Sequence, residues 1–160
     1  MLRLLSILLL LFSCEYAQAK CNITAEAVVG FLDFEIEGCN VVGDLKDNGK
    51  GLSGEFTVDL KKLDTDLDLR NDHMKNKYLE VDKYPTAKMV LEQVPYGAKT
   101  FAGSLTLHGV TKKVSGKVLK AEKGKLETEF KVNILDFGVE KPGYKGVVIG
   151  ETVAISVSVP

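Results

Sequence analysis

The sequence predicts an all-β protein of eight antiparallel strands with one short helix inserted around residues 68–79. Three observations carry that prediction. Over residues 52–60, 101–107, 126–134 and 147–159, apolar and polar residues alternate with the period of a half-buried strand. Clusters of Asn, Asp, Gly and Pro separate these runs at short intervals, as the reversals of a strand meander require. One long stretch, LRNDHMKNKYLEVDKYPTAKM at 69–89, does not alternate. Within it Met74, Tyr78, Leu79 and Val81 recur at near-helical spacing until Pro85 forces the chain back to extended geometry.

Ahead of the first strand the chain reads as a secretion signal. Residues 1–3 are short and positive, 4–12 are almost unbroken apolar, and Ala17, Gln18 and Ala19 form an A-x-A cleavage site. The apolar run is shorter than the ~20 residues that span a bilayer. The expected organisation is a signal peptide at 1–19 and one domain at 20–160, exported to the periplasm or secreted. Leu11, Phe12, Ser13 and Cys14 offer a competing lipoprotein site. Acylation of Cys14 is the only route by which membrane association is expected.

Residues 23–36 have apolar side chains on both phases and read as one strand covered on both faces over part of its length. If residues 23–34 of it form one strand at ~3.3 Å per residue, its ends lie roughly 35 to 40 Å apart, whereas disulfide-bridged Cα atoms lie within ~7 Å. An even pair of cysteines, Cys21 and Cys39, in an oxidising compartment argues the other way. A bridge between them therefore requires the first strand to bend or break early.

Residues 40–46 form a short second strand, and Asp47, Asn48 and Gly49 supply the reversal after it. Leu52, Gly54, Phe56, Val58 and Leu60 then share one face, with Ser53, Glu55, Thr57 and Asp59 on the other. Asp66 or Asp68 is the expected N-cap of the helix, its carboxylate accepting from first-turn amides. After Pro85, Ala87, Met89 and Leu91 alternate. A turn at Pro95, Tyr96 and Gly97 leads into 101–107, and 110–118 keeps the same period. Lys123 and Gly124 turn the chain into 126–134, whose Glu127, Glu129 and Lys131 face water. Residues 136–146 are a loop with room for one helical turn, and 147–159 is the last strand, with Glu151 as the single charge in its apolar phase.

Strands of this number, each with one apolar face, form either a two-sheet sandwich or a closed up-and-down barrel. An eight-stranded barrel is either filled by side chains or just wide enough for one small ligand. Gly54, Gly103 and Gly116 fall in the inward phase. There they either leave room for a guest or bend the strands around a corner.

The net charge is −1, without the basic stripe that nucleic acid requires, so no nucleic-acid partner is expected. No G-x-S-x-G elbow, phosphate loop or paired-histidine helix occurs, which leaves hydrolase, nucleotide and metal chemistry without residues to support them. The two histidines are His73, in the helix, and His108, at a strand end. Tyr78, Tyr84, Tyr96 and Tyr144 sit in or near connections, where amphipathic rings suit the rim of an apolar pocket.

Two motifs carry a resemblance. LDLRNDHMKNKYLEVDKYPTAKM at 67–89 and GSLTLHGVTKKV at 103–114 resemble the helix-and-turn segment and the strand end of the YceI-like family. The likeness runs from about residue 42 to residue 159. It implies an extended lipocalin-like barrel whose apolar channel takes a long isoprenoid tail, such as that of a quinone, without catalysis. Arg70, Asp72 and His73 match the helix motif, Pro85 and Thr86 its turn, and His108, Gly109, Thr111 and Lys112 the strand end. The chain departs from the family at its start, where CNITAEAVV lacks the Asp and His that many members carry. The expected function is therefore an exported, non-catalytic protein that holds a long-chain amphiphilic lipid, polyisoprenoid or isoprenoid quinone, with no other cofactor. Phe56, Arg70, His73, Tyr78, Phe101, Gly103, His108, Gly116 and Phe130 are the candidate ligand contacts. Two alternatives stand beside it. One is a lipid-head-group enzyme with His73 and His108 as acid and base. The other is a structural or partner-binding barrel filled by Phe31, Phe56, Phe101 and Phe130.

Overall fold

The computed structural model of the chain describes residues 19–27, 34–144 and 147–160. Cys14, Phe31 and all of the expected signal except Ala19 lie outside the described residues. In chain order the strands are β1 (Ala19–Ala27), β2 (Phe34–Ile36), β3 (Asn40–Asp47), β4 (Gly51–Asp59), β5 (Thr86–Pro95), β6 (Thr100–Leu107), β7 (Val110–Glu122), β8 (Lys125–Asn133), β9 (Gly143–Tyr144) and β10 (Val147–Val159). From β3 to β8 each pairs antiparallel with the next, β8 pairs with β10, and β10 returns to pair with β1, which meets β3. The eight staves thus close into a barrel without a free edge, the arrangement that removes unpaired backbone groups from the rim of a sheet. β2 prolongs the edge of β3 along β1, and β9 pairs with the start of β10.

The first strand differs from expectation. Residues 23–36 are not one strand: β1 ends at Ala27 and β2 runs back against it, with Ile23 opposite Ile36 and Ala25 opposite Phe34. Apolar residues on both phases concealed the reversal, because there was no alternation for it to interrupt. The return carries Cys39 back to Cys21, and a disulfide joins them with Cα atoms 5.4 Å apart. Gly38, at φ +73°, makes the bend between β2 and β3. A Cβ there would lie 1.9 Å from the Lys62 carbonyl oxygen, so the bend accepts no side chain.

One end of the barrel is plugged. Leu52 and Val94, with 0% and 1% of their surface exposed, pack with Val118 and Ala121 in the larger core cluster. At that end three turns converge on Asp47. Its Oδ1 accepts the Gly49 N–H at 2.8 Å and the Tyr96 hydroxyl, and its Oδ2 accepts the Gly124 N–H at 3.1 Å. The bond from Tyr96, and after it that from Gly49, hold the Asp47 carboxyl below its usual range; the same carboxylate pushes the Tyr96 phenol up to about 12.

At the other end lies the helical excursion: α1 (Asp68–Asp72) runs directly into a π-helical turn over His73–Tyr78. The N-cap is Leu67, neither Asp66 nor Asp68, and no side chain caps the helix. Asp66 is at φ +64°, and Asp68 is already helical. Asn71 organises the entry instead: its Oδ1 accepts from both the N–H and the hydroxyl of Thr65 at 2.8 Å, and its Nδ2 donates to Asp64 Oδ1 at 2.8 Å. That bond from Asn71, with the Asp66 N–H, lowers the Asp64 carboxyl pKa. Backbone bonds fasten both ends of the excursion. Glu37 and Asp64 exchange N–H···O bonds of 2.7 and 2.9 Å, and the Leu60 N–H donates to the Pro85 carbonyl at 2.9 Å. A Lys61–Asp82 ion pair at 2.8 Å adds a third tie.

The expected loop after β8 contains one 3-10 turn, Ile134–Phe137, capped by the Asn133 side chain and ended by Gly138 at φ +73°. Glu151, the charge in the apolar phase of β10, is bonded to Lys141 Nζ at 2.7 Å. The loop thus supplies the counter-ion for the residue that broke the pattern.

Candidate functional site

Between the plug and the helix the barrel is hollow. A cavity of about 640 Å³ occupies it, a volume typical of sites that enclose a small organic ligand. The period-2 geometry of the strands builds its wall from their inward side chains. β4 gives Phe56 and Val58, β5 gives Ala87, Met89 and Leu91, and β6 gives Phe101, Leu105 and Leu107. β8 adds Leu126, Thr128, Phe130 and Val132, and β10 adds Val153, Ile155, Val157 and Val159. The wall is completed by Ile23, Ile36 and Val41 and by both cysteines of the disulfide, so the bridge that fixes the β1–β2 hairpin also forms part of the lining. No buried side-chain nitrogen or oxygen among the described residues lacks a hydrogen-bond partner. The interior therefore demands no hydrogen bond from a guest and is suited to hydrocarbon.

The inward glycines do a different job from either one expected. Neither Gly103 nor Gly116 lines this cavity, and neither has positive φ. A Cβ on Gly116 would lie 2.3 Å from the Glu129 carbonyl oxygen, 2.6 Å from Phe130 Cβ and 2.7 Å from Phe101 Cε1. One on Gly103 would lie 2.5 Å from the Val90 carbonyl oxygen and 2.7 Å from Met89 Cε. Each missing side chain is replaced by a neighbour that reaches over the glycine. At Gly116 the neighbours are Phe101 and Phe130, whose rings meet edge to face at 5.6 Å between centroids and themselves form cavity wall. Phe56, Phe101 and Phe130 therefore line the cavity and do not fill the axis, while Phe31 lies outside the described residues.

Polar residues gather at the mouth. There the lining passes to Thr65, Leu67, Asp68, Leu69, Arg70, His73, Met74 and Tyr78 of the helical excursion and to Val139, Pro142 and Gly143 of the facing loop. Arg70 Nη1 donates to the Thr65 carbonyl at 3.2 Å, which holds the guanidinium against the entry loop. The Tyr78 hydroxyl donates to the Gly143 carbonyl at 3.1 Å and accepts the Gly143 N–H at 3.0 Å. One phenol thus pins helix to loop across the opening. An interior that is apolar but for Thr128, with its ionic and phenolic groups at one end, matches a molecule with a hydrocarbon tail and a polar head.

His108 lies elsewhere. With Gly109 it forms the two-residue turn between β6 and β7, at φ +51° and +75°, the backbone that a right-twisted hairpin prefers. Its Nε2 is 2.6 Å from Glu80 Oε2, and its ring lies 4.5 Å from that of Tyr84 between centroids. A Cβ on Gly109 would lie 2.7 Å from the Tyr84 ring. The two sequence motifs therefore meet in space, as the joint that seats the segment after the helix on the β6–β7 turn. His73 lines the mouth and His108 does not, so the structure does not gather the two imidazoles in one cavity.

Of the candidate contacts, Phe56, Arg70, His73, Tyr78, Phe101 and Phe130 line the cavity, whereas Gly103, His108 and Gly116 stand behind it or outside it. Tyr96 serves the closed end and Tyr84 the joint; the Tyr144 side chain lies outside the description. Sequence reasoning left out the linings from β5 and β10, although alternation had placed Ala87, Met89, Val153, Ile155 and Val157 on an apolar face. The cysteines and the loop residues Val139, Pro142 and Gly143 gave no such signal. Among the described residues no three His, Cys, Asp or Glu side chains come together in a way that would hold a metal.

The chain matches the model of the YceI-like domain over residues 18–160. It is 31% identical over 160 residues to a UPF0312 protein of Pseudomonas putida (strain W619), covering 84% of this chain and 83% of the relative. A UPF0312 protein of Pseudomonas syringae pv. syringae is 33% identical at the same coverage. Among solved structures, Burkholderia cenocepacia BcnA superposes with a TM-score of 0.66 at 19% identity, covering 86% of this chain and 94% of that one. A polyisoprenoid binding domain from Saccharophagus degradans, implicated in plant cell wall breakdown, superposes with a TM-score of 0.63 at 16% identity, covering 89% and 94%. At these identities the structural likeness speaks to the barrel fold.

Proposed function

This chain belongs to the YceI-like family, and we propose that it is an exported, non-catalytic protein that holds a long-chain amphiphilic lipid, of the polyisoprenoid or isoprenoid-quinone class, inside its barrel. The observation that carries the reading is the cavity of about 640 Å³, whose barrel wall is apolar except for Thr128 of β8 and whose charged and phenolic groups lie at its mouth. Each CH₂ buried there contributes ~0.8 kcal/mol, so a prenyl tail is held without any hydrogen bond of its own. The Saccharophagus degradans domain, a polyisoprenoid binder of the same fold, supports the choice of class. Export is read from residues 1–19 and agrees with the disulfide, a bond that persists in oxidising compartments. Acid–base catalysis by His73 and His108 receives no support from their separate placement.

The test is to purify the protein from its native host, extract it with organic solvent and analyse the extract by mass spectrometry. A stoichiometric long-chain amphiphile is expected. Empty barrels that also fail to take up added isoprenoid would overturn the reading.

A further inference from the structure

Six large hydrophobic residues are exposed among those described: Val42, Leu67, Leu69, Val90, Leu119 and Leu135. Only Leu67 and Leu69 also line the cavity, each with 54% of its surface in solvent. They flank the first residue of α1 and are at once exposed to solvent and part of the cavity wall. Leu67 moreover occupies the N-cap, where Ser, Thr, Asp or Asn would satisfy the free amides, and no side chain takes over that task. A local rule broken at the mouth of a binding cavity, with no gain to the fold, points to a task performed at that position.

We propose that Leu67 and Leu69 form a docking edge that inserts into the surface of a neutral, zwitterionic lipid bilayer, so that a hydrocarbon tail passes between bilayer and cavity without crossing water. This rests on the proposed lipid-holding function and names the surface with which the site exchanges. A tail that left the bilayer through solvent would lose the burial of every CH₂ at once; contact at the mouth removes that barrier. Charge selects the kind of bilayer. Asp64, Asp66 and Asp68 near the leucines are offset by Arg70 and by Lys61, Lys62, Lys75, Lys77 and Lys83 of the same excursion, with Lys75 close enough to Asp64 to act on its carboxylate, so the edge carries no excess of either sign. A charge-balanced apolar edge gains nothing from anionic lipid, unlike a basic membrane-surface helix, so its partner is a neutral surface.

The test uses the purified protein with phosphatidylcholine vesicles, with vesicles containing phosphatidylglycerol, and with a pyrene-labelled fatty acid as transferable probe. The protein is expected to float with phosphatidylcholine vesicles and no better with the anionic ones. Leu67→Ser combined with Leu69→Ser should weaken flotation and slow probe transfer at least about tenfold, the scale of withdrawing leucine side chains from hydrocarbon. Leu67→Phe with Leu69→Phe should retain both, and Val42→Ser with Leu119→Ser, on the outer wall, should change neither. Equal flotation of the double serine variant, no flotation of the unaltered protein, or binding to anionic vesicles alone would overturn the proposal. So would a leucine-dependent dimer that ignores vesicles, since the edge would then serve a second copy of the chain. If flotation depends on the leucines but the barrel never takes up the probe, the docking edge stands and the lipid-holding function falls.

Discussion

Asp47 shows how much of this fold rests on single exposed residues. Three turns far apart in sequence donate to one carboxylate, and the strongest tie, from Tyr96, shifts both partners. The signs differ. The Asp47 carboxyl titrates lower when folded, so the stability it lends is present above its unfolded value near 3.8 and is lost as pH falls through the folded one. The Tyr96 phenol titrates higher when folded, so its share is complete below its ordinary value of 10.0 and is lost as pH rises toward about 12. Denaturant midpoints measured against pH should therefore fall at both extremes in the unaltered protein. Tyr96→Phe should flatten the alkaline limb, and an alkaline limb unchanged in that variant would show that the hydrogen bond contributes nothing. The sequence placed Asp47 in a turn and Tyr96 in another, but nothing local connects positions 49 apart. The glycines make the same point. The phase of Gly103 and Gly116 was legible, whereas their role depends on which neighbour reaches over them.

At the scale of elements, the helical excursion is a lid tied down at its ends and pinned in the middle. Breakdown of alternation at 69–89 was enough to locate it, because a segment that cannot be a stave of the barrel must lie across an end. The β1–β2 hairpin was hidden for the complementary reason: a run that is apolar on both phases looks the same whether it continues or reverses. Glu80 at φ +45° and His108 at φ +51° fix the joint at one side, and Tyr78 fixes the other by its paired bonds to Gly143. Removing the Tyr78 hydroxyl deletes two bonds, each worth ~0.5 to 1.5 kcal/mol net, from a contact that the staves do not share. Tyr78→Phe should consequently speed amide exchange in 68–78 and 139–143 and raise the rate of ligand release, with small change in the exchange of β4 to β8. Uniform acceleration across the barrel would mean that the phenol supports the whole core and not the lid.

For the whole molecule, alternation announces which face of each strand points inward, but it does not say whether the inward volumes meet across the axis. A barrel filled by phenylalanines and one with a cavity of about 640 Å³ have the same pattern. What separates them is how Phe101 and Phe130 lie, folded over Gly116 against the wall and not stretched across the centre. The hollow has an energetic consequence. Side chains that face it lack dispersion partners on one side, so the empty protein forgoes contacts that a guest would restore. Ala87 and Val157 line the cavity from β5 and β10, staves that are not neighbours in the ring. Ala87→Phe or Val157→Phe should fill part of the space and stabilise the lipid-free protein by ~0.5 to 2 kcal/mol. The same variants should lower the lipid recovered per chain, or shift it toward shorter tails, because the added ring occupies room the tail needs. Thermal midpoints of delipidated protein and mass spectra of solvent extracts measure the two effects together. Stability gained with lipid lost means that the interior is kept open for a guest at a cost to the fold; an unchanged amount and length of lipid in both variants would place the guest elsewhere.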